Sequence, residues 1–268
     1  MSKLITVHSL RNGLGRTTIA CLLGIKLSEH GNKTLIIDNN YRYCDVANYL
    51  LATPNYTIDD IKPFLQGKSL EKDTLKDLVV SINKNLDVLA GSKLDTMVNI
   101  LNEDDIKEIK EKAKGIYDYI IIDTRAALTH EENIGLMDII DYPIVITQLN
   151  NNEKEYYVKQ KNKIADENRK VLEQLISKAI VVINRYSDEI DFDLSHFKKE
   201  YAEVIKLFFS PNIINFCNGF KCKLNEKNEV ELMKLLKHIA NIDEEDKIDK
   251  NNILANKISK IKSILGMV

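Results

Sequence analysis

Cysteine, histidine, net charge and long apolar runs are all in short supply in this 268-residue chain, and each shortage removes a class of explanation. The four cysteines, at positions 21, 44, 217 and 222, are too few and too scattered for a disulfide framework, which suits a reducing cytoplasm. Cys217 and Cys222 read as free thiols, since a metal-binding Cys-x-x-Cys pair needs a tighter spacing. The five histidines, at 8, 30, 130, 196 and 238, have no ligand spacing. Lys and Arg number 38 against 40 Asp and Glu, so a formal net charge of −2 gives nucleic acid no global attraction. No apolar run approaches the roughly 18 residues of a membrane-spanning helix. Met1-Ser2-Lys3 leads straight into an apolar stretch, with no room for a secretory signal. No internal repeat is evident.

What is present is a hydrophobic content of 44%, enough at this length for one large α/β core with small appendages. Leu4-Ile5-Thr6-Val7 reads as a buried strand. From Thr17 to Glu29 the apolar residues Ile19, Leu22, Leu23, Ile25 and Leu27 mark an amphipathic helix. Between them lies Ser9-Leu10-Arg11-Asn12-Gly13-Leu14-Gly15-Arg16-Thr17-Thr18, a strand-turn-helix passage with the layout of a phosphate-binding loop. Gly13 and Gly15 let backbone N–H groups converge, and the helix N-terminus adds partial positive charge at the same point. Thr17 offers a hydroxyl to a Mg²⁺ ion held between phosphate oxygens. The generic pattern is met in part: Leu10 stands where its first Gly falls, and Arg16 replaces its Lys. The bland alternative is an ordinary strand-to-helix turn with chance glycines.

Two carboxylates close later apolar runs. Thr34 to Ile37 is a strand ending at Asp38, and Tyr117 to Ile122 is an all-apolar strand ending at Asp123. A strand apolar on both faces is a central parallel strand, and its carboxyl end faces the crevice where ligands bind in open α/β sheets. Asp38 has the alternative role of capping a turn. The remaining pattern predicts a short helix over 45–51, a helix starting at Thr57 with Ile58, Ile61, Phe64 and Leu65 on one face, and strands over 78–80 and 86–90. It also predicts a half-solvated helix over 103–115, a core strand over 143–147, a helix over 150–178, a strand over 179–186 and a last packed helix over 226–240.

Arg11-Asn12-Gly13-Leu14-Gly15-Arg16-Thr17-Thr18 resembles the deviant Walker A of the MinD/ParA family of P-loop ATPases, Lys-Gly-Gly-x-Gly-Lys-Thr-Thr. Both family lysines are arginine here and one Gly is Asn12, the residue other than Gly that best tolerates a left-handed backbone. Arg keeps the charge but is a wide fork where Lys is a point charge. Asp38-Asn39-Asn40 falls where the family has Asp-x-Asp, and Tyr117 to Asp123 resembles its Walker B strand. Arg125 and Ala127 replace the Pro and Gly that follow. Asn184-Arg185-Tyr186 resembles a strand end that approaches the nucleobase, and Ser210-Pro211 the family's nucleobase loop. A plain strand terminus is the alternative for Asn184.

The resemblance implies a mostly parallel sheet with helices on both faces, ATP or ADP with Mg²⁺ as cofactors, and a nucleotide-dependent homodimer. It implies that Asn12, Gly13, Leu14, Gly15, Arg16, Thr17 and Thr18 cradle the phosphates, with Asn184, Arg185 and Pro211 at the base. Thr17, Asp38 and Asp123 manage the metal. Arg11, Arg16, Asp38 and Asn40 serve catalysis, Arg11 by reaching the partner's phosphate. An amide at Asn40 holds water but cannot take its proton, so ATP hydrolysis is expected to be weak or lost.

Residues 241–252 are polar and read as a flexible linker after a domain spanning 1–240. Over 253–268, Leu254, Ile258, Ile261, Leu265 and Val268 recur at three- and four-residue steps, with lysines elsewhere. A basic amphipathic helix on a loose tether is an interfacial anchor, and the run resembles the MinD membrane-targeting sequence. The alternative is a helix docked on its own domain. The sequence therefore predicts a cytoplasmic factor, peripheral on the inner face of the cell membrane. It would position or recruit a division or pilus and secretion apparatus, in the manner of TadZ/CpaE, through an unidentified protein partner. The rivals are a non-hydrolysing pseudo-ATPase scaffold and a ParA-like DNA partitioning factor.

Overall fold

A computed structural model describes residues 2–9, 12–40, 44–94, 100–127, 135–150, 173, 176–191, 193–218 and 223–240. Their elements run β1 (Lys3–Ser9), α1 (Arg16–Glu29), β2 (Thr34–Asp38), α2 (Val46–Tyr49), α3 (Ile58–Gln66), α4 (Lys72–Asp77), β3 (Val80–Asn83), β4 (Leu86–Leu89) and α5 (Glu103–Ala113). There follow β5 (Tyr119–Ala127), β6 (Tyr142–Thr147), β7 (Ile180–Tyr186), α6 (Ser195–Glu200), β8 (Glu203–Phe208), α7 (Pro211–Cys217) and α8 (Glu226–Ala240). The strands form one sheet in the order β3-β4-β2-β5-β1-β6-β7-β8. Every pairing is parallel except β3 with β4, so the expected mostly parallel sheet is present.

The period of two in each strand sorts side chains between two layers. Ile5, Val7, Ile36 and Ile121 pack with α1 and α8 residues such as Leu22, Leu23, Leu232 and Leu235. Their neighbours Leu4, Leu35, Ile37, Ile120 and Ile122 pack on the other side with Ile58, Ile61, Leu75, Ile106 and Ile109 from α3, α4 and α5. Both helix starts predicted on that side carry capping boxes, Thr57 with Asp60 and Asn102 with Asp105. Phe64, expected on the buried face of α3, stands 36% exposed.

One expectation changes. Leu78 closes α4 rather than opening a strand, and β3 begins at Val80, because a short apolar run does not reveal its period. The segment around Ser210 is a two-residue connection: Phe208 ends β8, Phe209 and Ser210 follow, and Ser210 accepts a hydrogen bond from the Asn212 N–H at the start of α7. Pro211 is the first residue of that helix, where a missing N–H costs nothing. The helix predicted over 150–178 lies outside the described residues except near its ends.

Strand β8 is a sheet edge, and side chains close its outward groups. The Val204 N–H donates to Glu203 and the Lys206 N–H to Glu231 of α8. Asn228, fully buried on α8, accepts from the Phe208 N–H at 2.7 Å and donates to the Phe208 carbonyl at 3.1 Å. Covering an edge in this way removes a template for aggregation. Replacing Asn228→Leu keeps the branched shape with somewhat more bulk but orphans two backbone groups, so unfolding free energy should fall by about 2–4 kcal/mol in urea titrations. A change within about 0.5 kcal/mol would mean that water satisfies the edge instead.

Candidate functional site

The carboxyl ends of β1, β2 and β5 and the first turn of α1 meet at one place. Gly13 and Gly15 carry φ of 81° and 97°, a left-handed backbone that a side chain would strain. A Cβ on Gly15 would also run into the Asn184 amide. Gly15 opens α1, whose N-terminus has neither a side-chain cap nor an acidic residue in its first turn. Its first N–H groups are thus left for an anion.

Thr17 donates its hydroxyl to Asp123 Oδ2 at 2.6 Å. The register of β2 and β5 makes Asp38 and Asp123 direct Cα partners. Both are buried, 1% and 0% exposed. Burial and the Asp123 charge hold the Asp38 carboxyl well above the usual range, despite N–H donors from Val46 at 3.1 Å and Asn40 at 3.3 Å. Burial also pushes Asp123 up to about 6, against the opposing pull of the Thr17 hydroxyl and the Arg16 charge. Asp123 Oδ1 is buried with no hydrogen-bond partner. Paired carboxylates, a hydroxyl and an orphaned oxygen are a donor set for a hard divalent cation, one that takes its other ligands from phosphate and water. The residues present therefore fit Mg²⁺ with a nucleotide.

Arg16 is only 7% exposed and lies across the loop. It donates from Nη1 to Ser9 Oγ at 3.0 Å and from Nη2 to Asn12 Oδ1 at 3.3 Å, while Nε is buried without a partner. Thr18 contacts Cys217 Sγ at 3.2 Å, which ties the loop to α7. Beside this contact a cleft of ≈ 600 Å³ opens between α2 and α7, lined by Asp45, Tyr49, Leu51 and Cys217.

The base-side residues take unexpected partners. Asn184 donates to the Leu14 carbonyl at 2.8 Å and accepts from the Arg185 N–H at 2.9 Å, so its amide fastens the phosphate loop. Arg185 is exposed and left-handed, with φ of 56°. Pro211 begins α7. Asn40 is buried, its N–H on Asp38 and its carbonyl accepting from Cys44 Sγ. Arg11 and the tail residues Leu254, Ile258, Ile261, Leu265 and Val268 lie outside the described residues.

Sequence reasoning missed His8 and Asn39. His8 is fully buried, and burial with the Arg16 charge pushes it down to about 3. The Thr124 hydroxyl donates to the Val7 carbonyl at 2.7 Å, so the 3.1 Å contact with His8 requires a proton on Nδ1. Asn39 bonds both the N–H and the carbonyl of Leu101, each at 3.0 Å. Nothing local in the sequence marks either contact.

Asp123 sets a pH dependence. Its folded value lies above the ordinary 3.8, so between about 4 and 6 the folded chain keeps a proton that the unfolded chain releases. Stability without ligand therefore falls as pH rises through that window. Asp123→Asn, neutral throughout, should be more stable than the parent at about pH 7.5 without Mg²⁺ or nucleotide, by on the order of 1–3 kcal/mol. The gap should close near pH 4, and parallel urea titrations check both the sign and the window.

The profile of the AAA domain family AAA_31 matches residues 2–174. The tyrosine-protein kinase CpsD of Streptococcus agalactiae serotype Ia is 26% identical over 189 residues, 70% of this chain and 79% of that protein. A ParA family ATPase from Chlorobium tepidum TLS superposes with a TM-score of 0.70 at 18% identity, covering 89% of this chain and all of that one. The septum site-determining protein MinD of Pyrococcus horikoshii OT3, complexed with Mg-ADP, superposes with a TM-score of 0.66 at 21% identity, over 92% of this chain and all of that one. With an eight-stranded sheet of this order, a glycine loop between β1 and α1, and Asp38 and Asp123 paired on neighbouring strands, the chain belongs to the AAA domain family and has the MinD/ParA-type P-loop ATPase fold.

Proposed function

We propose that this chain binds ATP or ADP with Mg²⁺ at the loop ending in Thr17 and acts as a nucleotide-dependent dimeric switch on a membrane surface. The observation that carries the reading is the 2.6 Å bond from Thr17 to Asp123, with Asp38 paired beside it and Asp123 Oδ1 left unpartnered. Backbone N–H groups from Gly13 to Thr18 hold the phosphates, and Arg16 supplies the cation. Thr17, Asp38 and Asp123 hold Mg²⁺, which on binding neutralises phosphate charge. Asn40 orients a water without taking its proton, so turnover is slow. Arg11 reaches the phosphate of the second copy, since a guanidinium pairs well with phosphate across an interface.

In this reading residues 1–240 are the switch, 241–252 the tether and 253–268 an amphipathic anchor. One such helix binds weakly, and two on a dimer bind far better through effective concentration. The dimer recruits or positions another apparatus, either a division site or a pilus or secretion machine. Among the described residues no helix is long and apolar enough to cross a membrane.

A second reading, a scaffold that holds nucleotide without hydrolysis, is favoured by Arg16, whose two terminal nitrogens already serve Ser9 and Asn12. Phosphate release and nucleotide retention, measured together on the purified chain with Mg²⁺ and ATP, separate the two. Slow release stimulated by anionic liposomes supports the switch; retention without release supports the scaffold. Phosphotyrosine on the protein would instead indicate the activity for which CpsD is named. Cosedimentation with liposomes should require ATP and residues 253–268. Salt-sensitive DNA binding in its place would favour a partitioning factor.

A further inference from the structure

Asn12 and Arg16 depart together from the small residue and the lysine of the resembled loop, and the structure joins their side chains. Asn12 Oδ1 accepts from Arg16 Nη2 at 3.3 Å, and Ser9 Oγ from Nη1 at 3.0 Å. The guanidinium is thereby held by an oxygen on each side of the loop. A guanidinium has five N–H donors in a fixed plane, and two are used here. Nε is sealed from solvent without a partner, which leaves one further N–H on each terminal nitrogen. A lysine in the same place has its three donors on one freely rotating nitrogen and no planar fork for two acceptors to orient. Asn12 is itself exposed, so its amide is not needed to fill the core.

We propose that Asn12 is a positioning residue for Arg16, and that Ser9, Asn12 and Arg16 form one clamp that presents the remaining N–H groups of the two terminal nitrogens to the phosphates of a nucleotide. The inference rests on the nucleotide-binding reading and adds to it that the arginine form of the loop works only with its amide partner. The flexible side chain that a lysine loop would swing onto phosphate is replaced by a cation fixed before the ligand arrives. Preorganisation of this kind lowers the ordering cost of binding.

The test is a double-mutant cycle on the full-length chain, read by titration calorimetry with Mg·ADP and by thermal melting without nucleotide. Asn12→Gly alone should weaken Mg·ADP roughly tenfold, because the guanidinium loses its orientation. Arg16→Lys alone should weaken it by a similar factor, since Asn12 is left without its donor. The double variant Asn12→Gly with Arg16→Lys, which restores the small-residue and lysine pair, should bind within about threefold of the parent. The ligand-free melting temperature of Asn12→Gly should stay within a few degrees of the parent, as expected for an exposed residue. Parent-like affinity in Asn12→Gly, or two losses that simply multiply in the double variant, overturns the clamp while leaving nucleotide binding intact. No saturable heat with the parent chain overturns the nucleotide reading and the clamp with it.

Discussion

Two carboxylates that the sheet forces side by side set the terms for everything near them. Asp38 closes β2 and faces Asp123 in register on the adjacent parallel strand β5, which runs on past it to Ala127, and the apolar residues before them, Ile36 and Ile37 on β2 and Ile121 and Ile122 on β5, are sealed in the core. The packing that makes β2 and β5 central strands therefore delivers two acids to a buried spot where they repel. Desolvation and mutual repulsion favour the protonated form, and the surrounding groups oppose that tendency. The Thr17 hydroxyl, the Val46 and Asn40 N–H groups and the Arg16 charge each lean on one carboxylate or the other. A divalent cation relieves the same repulsion more fully than any of them.

The loop above these acids is held from outside itself. Asn184 reaches the Leu14 carbonyl from the end of β7, and the bare Cα of Gly15 lets that amide come close. Thr18 meets Cys217 from α7. The loop thus has fixed walls on two sides. Its sequence departs from the resembled pattern, yet the turn keeps its left-handed glycines.

Much of this was legible in the chain. Alternating and continuous apolar runs announced β1, β2 and β5, and with them the carboxylates at their ends, because burial on both faces of a central strand leaves an unmistakable run. Thr57 and the flanking acids marked α3 for the same local reason. The unread part is long-range. Asn184 lies 170 residues from Leu14, Asn39 lies 62 from Leu101, and Cys217 lies 199 from Thr18. An amide that closes a turn and an amide that touches a base look alike in sequence. Strand β8 was hidden too, since Glu203 and Lys206 break its apolar pattern, and only the packed α8 explains why that edge is tolerated.

The seal on β8 has a mechanical side. Helix α8 is described over 15 residues to Ala240, a rod on the order of 22 Å long. Asn228 and Glu231 grip the strand near the other end of that rod. A load on α8 is shared between its packed face, Leu232 and Leu235 among it, and the hydrogen bonds at the rim of the sheet. Those bonds sit on β8, next to β7, whose Asn184 in turn holds the glycine loop. A pull on α8 and the hold on the glycine loop are thus linked through two neighbouring strands.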